Sequence, residues 1–147
     1  MRKASDAKLL ELKKIFDPRG NLTVVEELTD LPFKIARAFW TYDVPGGESR
    51  GGHAHKELWQ FVVALSGSFT VKLDDGEQKC EFTLKYPYQG LMLEPTIWSS
   101  LEDFSSGAVA LVLCSDRYDP ADYIYDYQEY LQYRKDLAET EKQQQPK

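Results

Sequence analysis

Residues 49–68 read SRGGHAHKELWQFVVALSGS, and this stretch decides the fold. Its second half, from Trp59 to Leu65, is a short apolar run rich in aromatic and β-branched residues, closed by Ser66-Gly67. A run of that length bounded by turn residues reads as a buried strand. Just before it stand His53 and His55, the only 2 histidines of the chain. Side chains two apart on a strand share a face, so both imidazoles enter the interior or both meet water. Lying between a glycine loop and an apolar strand, they are expected to face inward.

The rest of the chain repeats the pattern. Further strands are predicted in NLTVVEEL, FKIARAFWTYDV, SFTVKLDDG, KCEFTLKY, GLMLEP, WSSLEDF and AVALVLCS. Gly and Pro punctuate them at Pro18-Arg19-Gly20, Pro45-Gly46-Gly47, Gly67, Gly76, Pro87, Gly90 and Gly107. Closely spaced turns without intervening helices exclude βαβ units and predict an all-β sandwich or barrel. Asp74-Asp75-Gly76 between two alternating segments predicts a hairpin. Only DYQEYLQYRKDLAETEK reads as helix. Asp126 and Glu129 have capping-box spacing, and Tyr127, Tyr130, Leu131, Arg134 and Leu137 form one face expected to pack on the strands, with a dimer contact as the alternative. One domain over residues 1–140 is expected, with a frayed tail over 141–147.

A length of 147 residues suffices for a single core. The net charge of -6 disfavours nucleic acid or an anionic membrane as partner. No apolar run has the length of a membrane span, and the first residues lack the apolar segment of a secretory signal. Cys80 and Cys114 make no disulfide framework, and Cys114 reads as a small buried residue. These features point to a cytoplasmic protein.

The histidine pair is open to metal ligation, acid–base chemistry or a structural role. Divalent sites take three or four N, O or S ligands, with a charged ligand to offset the metal. Here two imidazoles are followed by the neutral amide of Gln60, with no third histidine, so no metal and no cofactor is expected. Two neutral imidazoles instead suit proton transfer. A base that takes a proton from one carbon and returns it to its neighbour interconverts adjacent ketones, given a cation near the developing enediolate. Arg37, alternating with Ile35 and Phe39, and Arg19 and Arg50, beside glycine loops, are the available cations. Trp40, Trp59, Trp98, Phe39, Phe61 and Tyr42 mostly fill the interior, with one of them available to stack on a base.

Gly47, His53-Ala54-His55, Gln60 and Gly67 carry the spacing of the first cupin motif, with Gln60 where a glutamate is usual. GLMLEPTIWSS stands where the second motif falls, with Ser99 where a histidine is expected. Together with RGGHAHKELWQ, GSFTVKLDDG, FSSGAVALVLCSDRYD and ADYIYDY, the chain resembles the sugar-nucleotide 3,4-ketoisomerases over nearly its whole length. That resemblance implies a cupin jelly-roll β-barrel with a C-terminal helix, forming a homodimer with exchanged N-terminal strands. It implies metal-independent isomerisation of dTDP-4-keto-6-deoxy-glucose to the 3-keto sugar, in the synthesis of 3-amino-3,6-dideoxy sugars. His53 would be the base and His55 its assistant, with Arg37, Arg50, Gln60, Tyr42 and Arg19 binding the substrate, Arg19 at the phosphates. Tyr125 stands where arginine is common in the family and is expected at a surface or interface. The alternatives are a sugar-nucleotide 3,5-epimerase and a non-catalytic nucleotide-sugar-binding cupin.

Overall fold

The computed structural model describes residues 1–144. Its strands, in chain order, are β1 (Lys8–Glu11), β2 (Lys13–Ile15), β3 (Leu22–Val24), β4 (Arg37–Thr41), β5 (Arg50–His55) and β6 (Gln60–Ser66). There follow β7 (Phe69–Asp74), β8 (Lys79–Leu84), β9 (Gln89–Leu93), β10 (Trp98–Glu102), β11 (Val109–Cys114) and β12 (Tyr123–Ile124). One α-helix, α1 (Tyr127–Gln144), ends the described chain.

The strands form two five-stranded sheets, ordered β1-β9-β6-β11-β4 and β12-β5-β10-β7-β8, with β2 and β3 as a separate pair. Every pairing of these strands is antiparallel. The class is all-β, as the sequence predicts. The two sheets face each other as a sandwich, and hydrogen bonding does not close them into one continuous barrel.

Alternation along β6 explains its apolar run. Val62 and Ala64 point between the sheets and join Val71, Leu73, Leu91 and Val112 in the main core. Phe61 and Val63 point the other way, into a second cluster with Leu31, Phe33, Met92 and Leu113. A strand covered on both faces cannot alternate apolar with polar residues. Gly90 on β9 lies directly under the Phe61 ring, where any side chain would overlap it.

The β7–β8 hairpin forms where Asp74-Asp75-Gly76 predicts it, with Asp74 opposite Lys79. The Asp75 carboxylate accepts the backbone N–H groups of Glu77 and Gln78 at 2.9 and 2.7 Å, and of Ala4 at 2.8 Å. Gly76 follows at φ 91°, a left-handed conformation open to glycine.

Helix α1 begins as predicted. Asp126 accepts the Glu129 N–H at 3.0 Å, satisfying an otherwise unpaired donor of the first turn. Its Tyr130 is fully buried and donates to the carbonyls of Asp74 (3.0 Å) and Thr96 (2.8 Å). The buried Arg134 guanidinium donates to the carbonyls of Thr96 and Arg2. The helix is thus fixed to its own domain. It continues through Gln144, so residues 141–144 of the expected frayed tail are helical, and the rest of that tail lies outside the described residues. No helix among the described residues is long and apolar enough to cross a membrane.

Candidate active site

The histidine strand β5 lies between β12 and β10, with Tyr123 opposite His55 and Ser99 opposite His53. Ala54 faces outward, fully buried with Ile124 and Tyr130 in the cluster that α1 covers. The pleat therefore turns both imidazoles to the inner face. His55 is buried and His53 half-buried. Their rings stand edge-on with centroids 4.9 Å apart.

His53 lines a cavity of about 120 Å³ between the sheets. Gln60, Val62, Leu93, Ser99 and Phe39 complete its wall, and Arg50 lies at its mouth. Thr41 and Arg50 also border an open cleft of about 500 Å³ lined by Trp40 and Tyr42. The cavity is sized for a sugar ring or part of one, and the cleft provides rings and a cation beside it.

Burial, and then the neighbouring His55, lower the His53 pKa to about 4. Burial also lowers that of His55, opposed by Asp122 and reinforced by the Arg37 cation. Both rings are neutral at pH 7 and available as bases.

His55 Nδ1 lies 3.0 Å from Asp122 Oδ2. Its Nε2 is buried without a partner. The ring of Tyr123 packs on both histidines, with centroids at 4.3 Å from His55 and 5.2 Å from His53. Arg37 Nη2 approaches the Tyr123 hydroxyl at 3.5 Å and Cys114 Sγ at 3.7 Å. Gln60 Nε2 meets the same sulfur at 3.9 Å. The buried Cys114 thereby touches both polar residues, and burial raises its pKa, so the thiol is neutral. Among the described residues no three His, Cys, Asp or Glu side chains gather as a metal-ligand set.

The fold thus brings together His53, His55, Gln60 and Arg37, with Arg50 at the rim. Tyr42 is exposed and lines the adjoining cleft, not the cavity. Arg19 is on the β2–β3 turn, 92 % exposed, and its guanidinium is paired with Asp17 of the same turn. It is not among the residues lining the histidine cavity. Tyr125 is exposed, but its ring is stacked on Tyr123 and lies 5.9 Å from that of His53, at the rim of the site. Asp122 and Tyr123 were not singled out from the sequence. Their only signal is their place in ADYIYDY, since β12 is two residues long and lacks its own periodicity.

An all-β sandwich with inward histidines on one strand is a protein of the cupin type. Residues 5–135 match the family described as FdtA: WxcM-like, C-terminal. The chain is 46% identical over 126 residues to the TDP-4-oxo-6-deoxy-alpha-D-glucose-3,4-oxoisomerase of Aneurinibacillus thermoaerophilus, covering 86% of this chain and 91% of that one. A 3,4-ketoisomerase from Helicobacter canadensis superposes with a TM-score of 0.86 at 38% identity, over 88% of this chain and 98% of that one. A histidine-to-asparagine variant of QdtA, the 3,4-ketoisomerase of Thermoanaerobacterium thermosaccharolyticum, was crystallised with TDP-4-keto-6-deoxyglucose. It superposes with a TM-score of 0.86 at 35% identity, over 88% of this chain and 94% of that one. The chain belongs to the FdtA family.

Proposed function

We propose that the protein is a 3,4-ketoisomerase of dTDP-4-keto-6-deoxy-glucose, forming the dTDP-linked 3-keto sugar that supplies 3-amino-3,6-dideoxy sugar synthesis. The observation that carries this reading is the pair of neutral imidazoles with centroids 4.9 Å apart, of which His53 lines a sugar-sized cavity. His53, which faces the cavity, takes the C3 proton and returns it to C4. His55 assists from beside it. Gln60 and the Arg37–Tyr123 pair place donors near the oxygens where negative charge develops. The reaction needs no redox partner, because the substrate is oxidised at one carbon and reduced at the next.

Arg50 and the cleft beside it take the nucleotide. Phe61 is in the core, Trp59 is covered by Arg2, and Trp98 packs against Tyr127 and Tyr130. Trp40 and Tyr42, both exposed on the cleft wall, are the rings free to stack on the base. Arg19 would meet the phosphates from the exposed β2–β3 turn.

The working form is a homodimer with exchanged N-terminal strands. The β2–β3 hairpin presents Ile15, Phe16 and Leu22 to solvent, with Phe16 74% exposed. An apolar trough of about 650 Å³, lined by Val25, Ile35, Leu65, Leu111 and Leu113, lies on the outer face of the β6–β11 sheet. A lone two-stranded hairpin is marginal in water, and a second copy of the chain would cover both its exposed apolar residues and the trough that Lys14 and Thr23 border. The protein works in the cytoplasm.

The test is turnover of dTDP-4-keto-6-deoxy-glucose by chelator-treated protein in deuterated water, followed by proton NMR. Loss of the C3 proton with appearance of a 3-keto product is the expected result. Deuterium at C5 would instead make the protein an epimerase, and binding without exchange a non-catalytic module.

A further inference from the structure

We propose that Thr96 is a positioning residue, held in a strained backbone conformation by Tyr130 and Arg134 so that α1 sets how the histidine strand β5 lies against β10; its effect on turnover rests on the isomerase reading. Thr96 is in the turn that joins β9 to β10, directly after Pro95, and has φ 71°. Proline followed by a left-handed residue is the pattern of a type II turn, whose second central position ordinarily takes glycine. A β-branched residue there is an outlier, because its side chain crowds the backbone. Such strain persists only where the surroundings over-determine it.

Hydrogen bonds from elsewhere in the chain do so here. The Thr96 N–H donates to the His55 carbonyl at 2.6 Å. The Thr96 carbonyl accepts from the Tyr130 hydroxyl at 2.8 Å and from Arg134 Nη1 at 3.2 Å, and that nitrogen also lies 3.4 Å from Thr96 Oγ1. Thr96 and Arg134 are 6% and 7% exposed, so water competes little for these groups. Arg134 makes no ion pair among the described residues. Its donors go to backbone carbonyls, those of Thr96 and Arg2.

The turn meets the site on both of its sides. Where β10 pairs with β5, Ser99 is opposite His53. The Thr96–His55 bond lies beyond that ladder and ties the last residue of β5 to the approach of β10. β10 then starts at Trp98, and its Ser99 lines the His53 cavity. Tyr130 also shares a buried cluster with Ala54, the residue between the histidines. Helix α1 therefore grips β5 at Ala54 and, through Thr96, at His55. Relaxation of Thr96 to a negative φ rotates its N–H against its carbonyl, so one of them leaves its partner. Either loss shifts the histidine strand against the cavity wall.

Backbone chemical shifts of the labelled parent read φ at Thr96, and a left-handed value is expected. Arg134→Met keeps the apolar stem and removes the donors. Its kcat is expected to fall by about 10- to 100-fold with KM within a few-fold, the cost of a small misplacement of reacting groups. The nitrogen-15 signals of the 2 histidine rings, read without substrate, move with it. Arg134→Lys, which can still donate to the Thr96 carbonyl, recovers part of kcat. So does Thr96→Gly in the Arg134→Met background, because glycine takes a left-handed φ without being held. That recovery separates positioning from bulk stabilisation, since the second substitution adds no packing. A negative φ at Thr96 in the parent overturns the proposal even if the variants do not fold. It is equally overturned by unmoved ring signals, by a double variant no more active than Arg134→Met, or by Arg134→Met with a lower Tm but kcat within about twofold of the parent. A parent that leaves the keto sugar unchanged, with ring signals that move in Arg134→Met and return in the double variant, overturns the isomerase reading alone.

Discussion

The imidazole of His53 stands edge-on to that of His55, with centroids 4.9 Å apart and planes at 89°. At that separation a charge on either ring disfavours a charge on the other, so the pair accepts protons one at a time. One ring faces the cavity and the other leans on Asp122, and the two divide the work of a carbon-to-carbon proton transfer.

The two histidines should respond unequally to substitution. His53→Asn is expected to lower kcat by about 10³-fold or more, with dTDP affinity within a few-fold, because asparagine keeps the polar volume but no base. His55→Asn is expected to cost about a hundredfold. Steady-state kinetics with dTDP titration measures both. A His53→Asn protein with full turnover would remove the proposed base.

The acid limb of kcat/KM should fall far below the ordinary histidine range. Burial, and then His55, bring the His53 pKa to about 4, so the free enzyme keeps its base unprotonated well below pH 6. Stability has the same origin. Between the unfolded value near 6.5 and the folded value near 4, the unfolded chain binds the proton and the folded one resists it. Stability contributed by the neutral ring is therefore complete above about pH 6.5 and declines as the pH falls toward 4, by at most about 1.4 kcal/mol per pH unit. Urea midpoints from pH 7 to 4.5 should show this slope in the parent and a shallower one in His53→Asn.

Gly90→Ala tests the packing under β6. The added methyl would meet the Phe61 ring, which is itself fully buried and cannot swing away. Overpacking of this kind costs about 1–3 kcal/mol, each kcal/mol being worth roughly 3 °C in Tm for a chain of this size. Phe61→Leu in the same background should recover part of the loss. An unchanged Tm in the single variant would mean that β9 shifts freely, contrary to its pairing with both β1 and β6.

Light scattering should give a mass of twice 16.9 kDa for the parent. Phe16→Glu places a charge on the exposed apolar hairpin and is expected to weaken the pair by roughly tenfold or more. A parent that runs as a monomer at micromolar concentration would end the dimer reading.

The sequence by itself determined most of the sheets, because period-two alternation, β-branched runs and turn glycines are local properties. The β7–β8 hairpin and the Asp126 cap are legible for the same reason, each being set within a few neighbouring residues. The face taken by the histidines was also within reach, since they lie between a glycine loop and an apolar strand. β1 and β2 were not legible. They are short, charged and exposed along much of their length, so no hydrophobic period marks them. β12, with its two residues, depends on β5 for its existence.

Tertiary structure alone decided which polar groups meet the imidazoles. Asp122 and His55 are 67 residues apart, and Arg37 reaches Tyr123 across 86. Nothing local in ADYIYDY distinguishes Asp122 from the other acidic residues around it. Only the antiparallel pairing of β12 with β5 places its carboxylate against a ring nitrogen. Conversely, nothing local shows that Tyr42 lines the cleft beside the histidine cavity or that Arg19 is held at the β2–β3 turn by Asp17. The local code sets which residues form strands. The order in which strands pair sets which side chains share a cavity, and that order is fixed by the summed burial of the whole core.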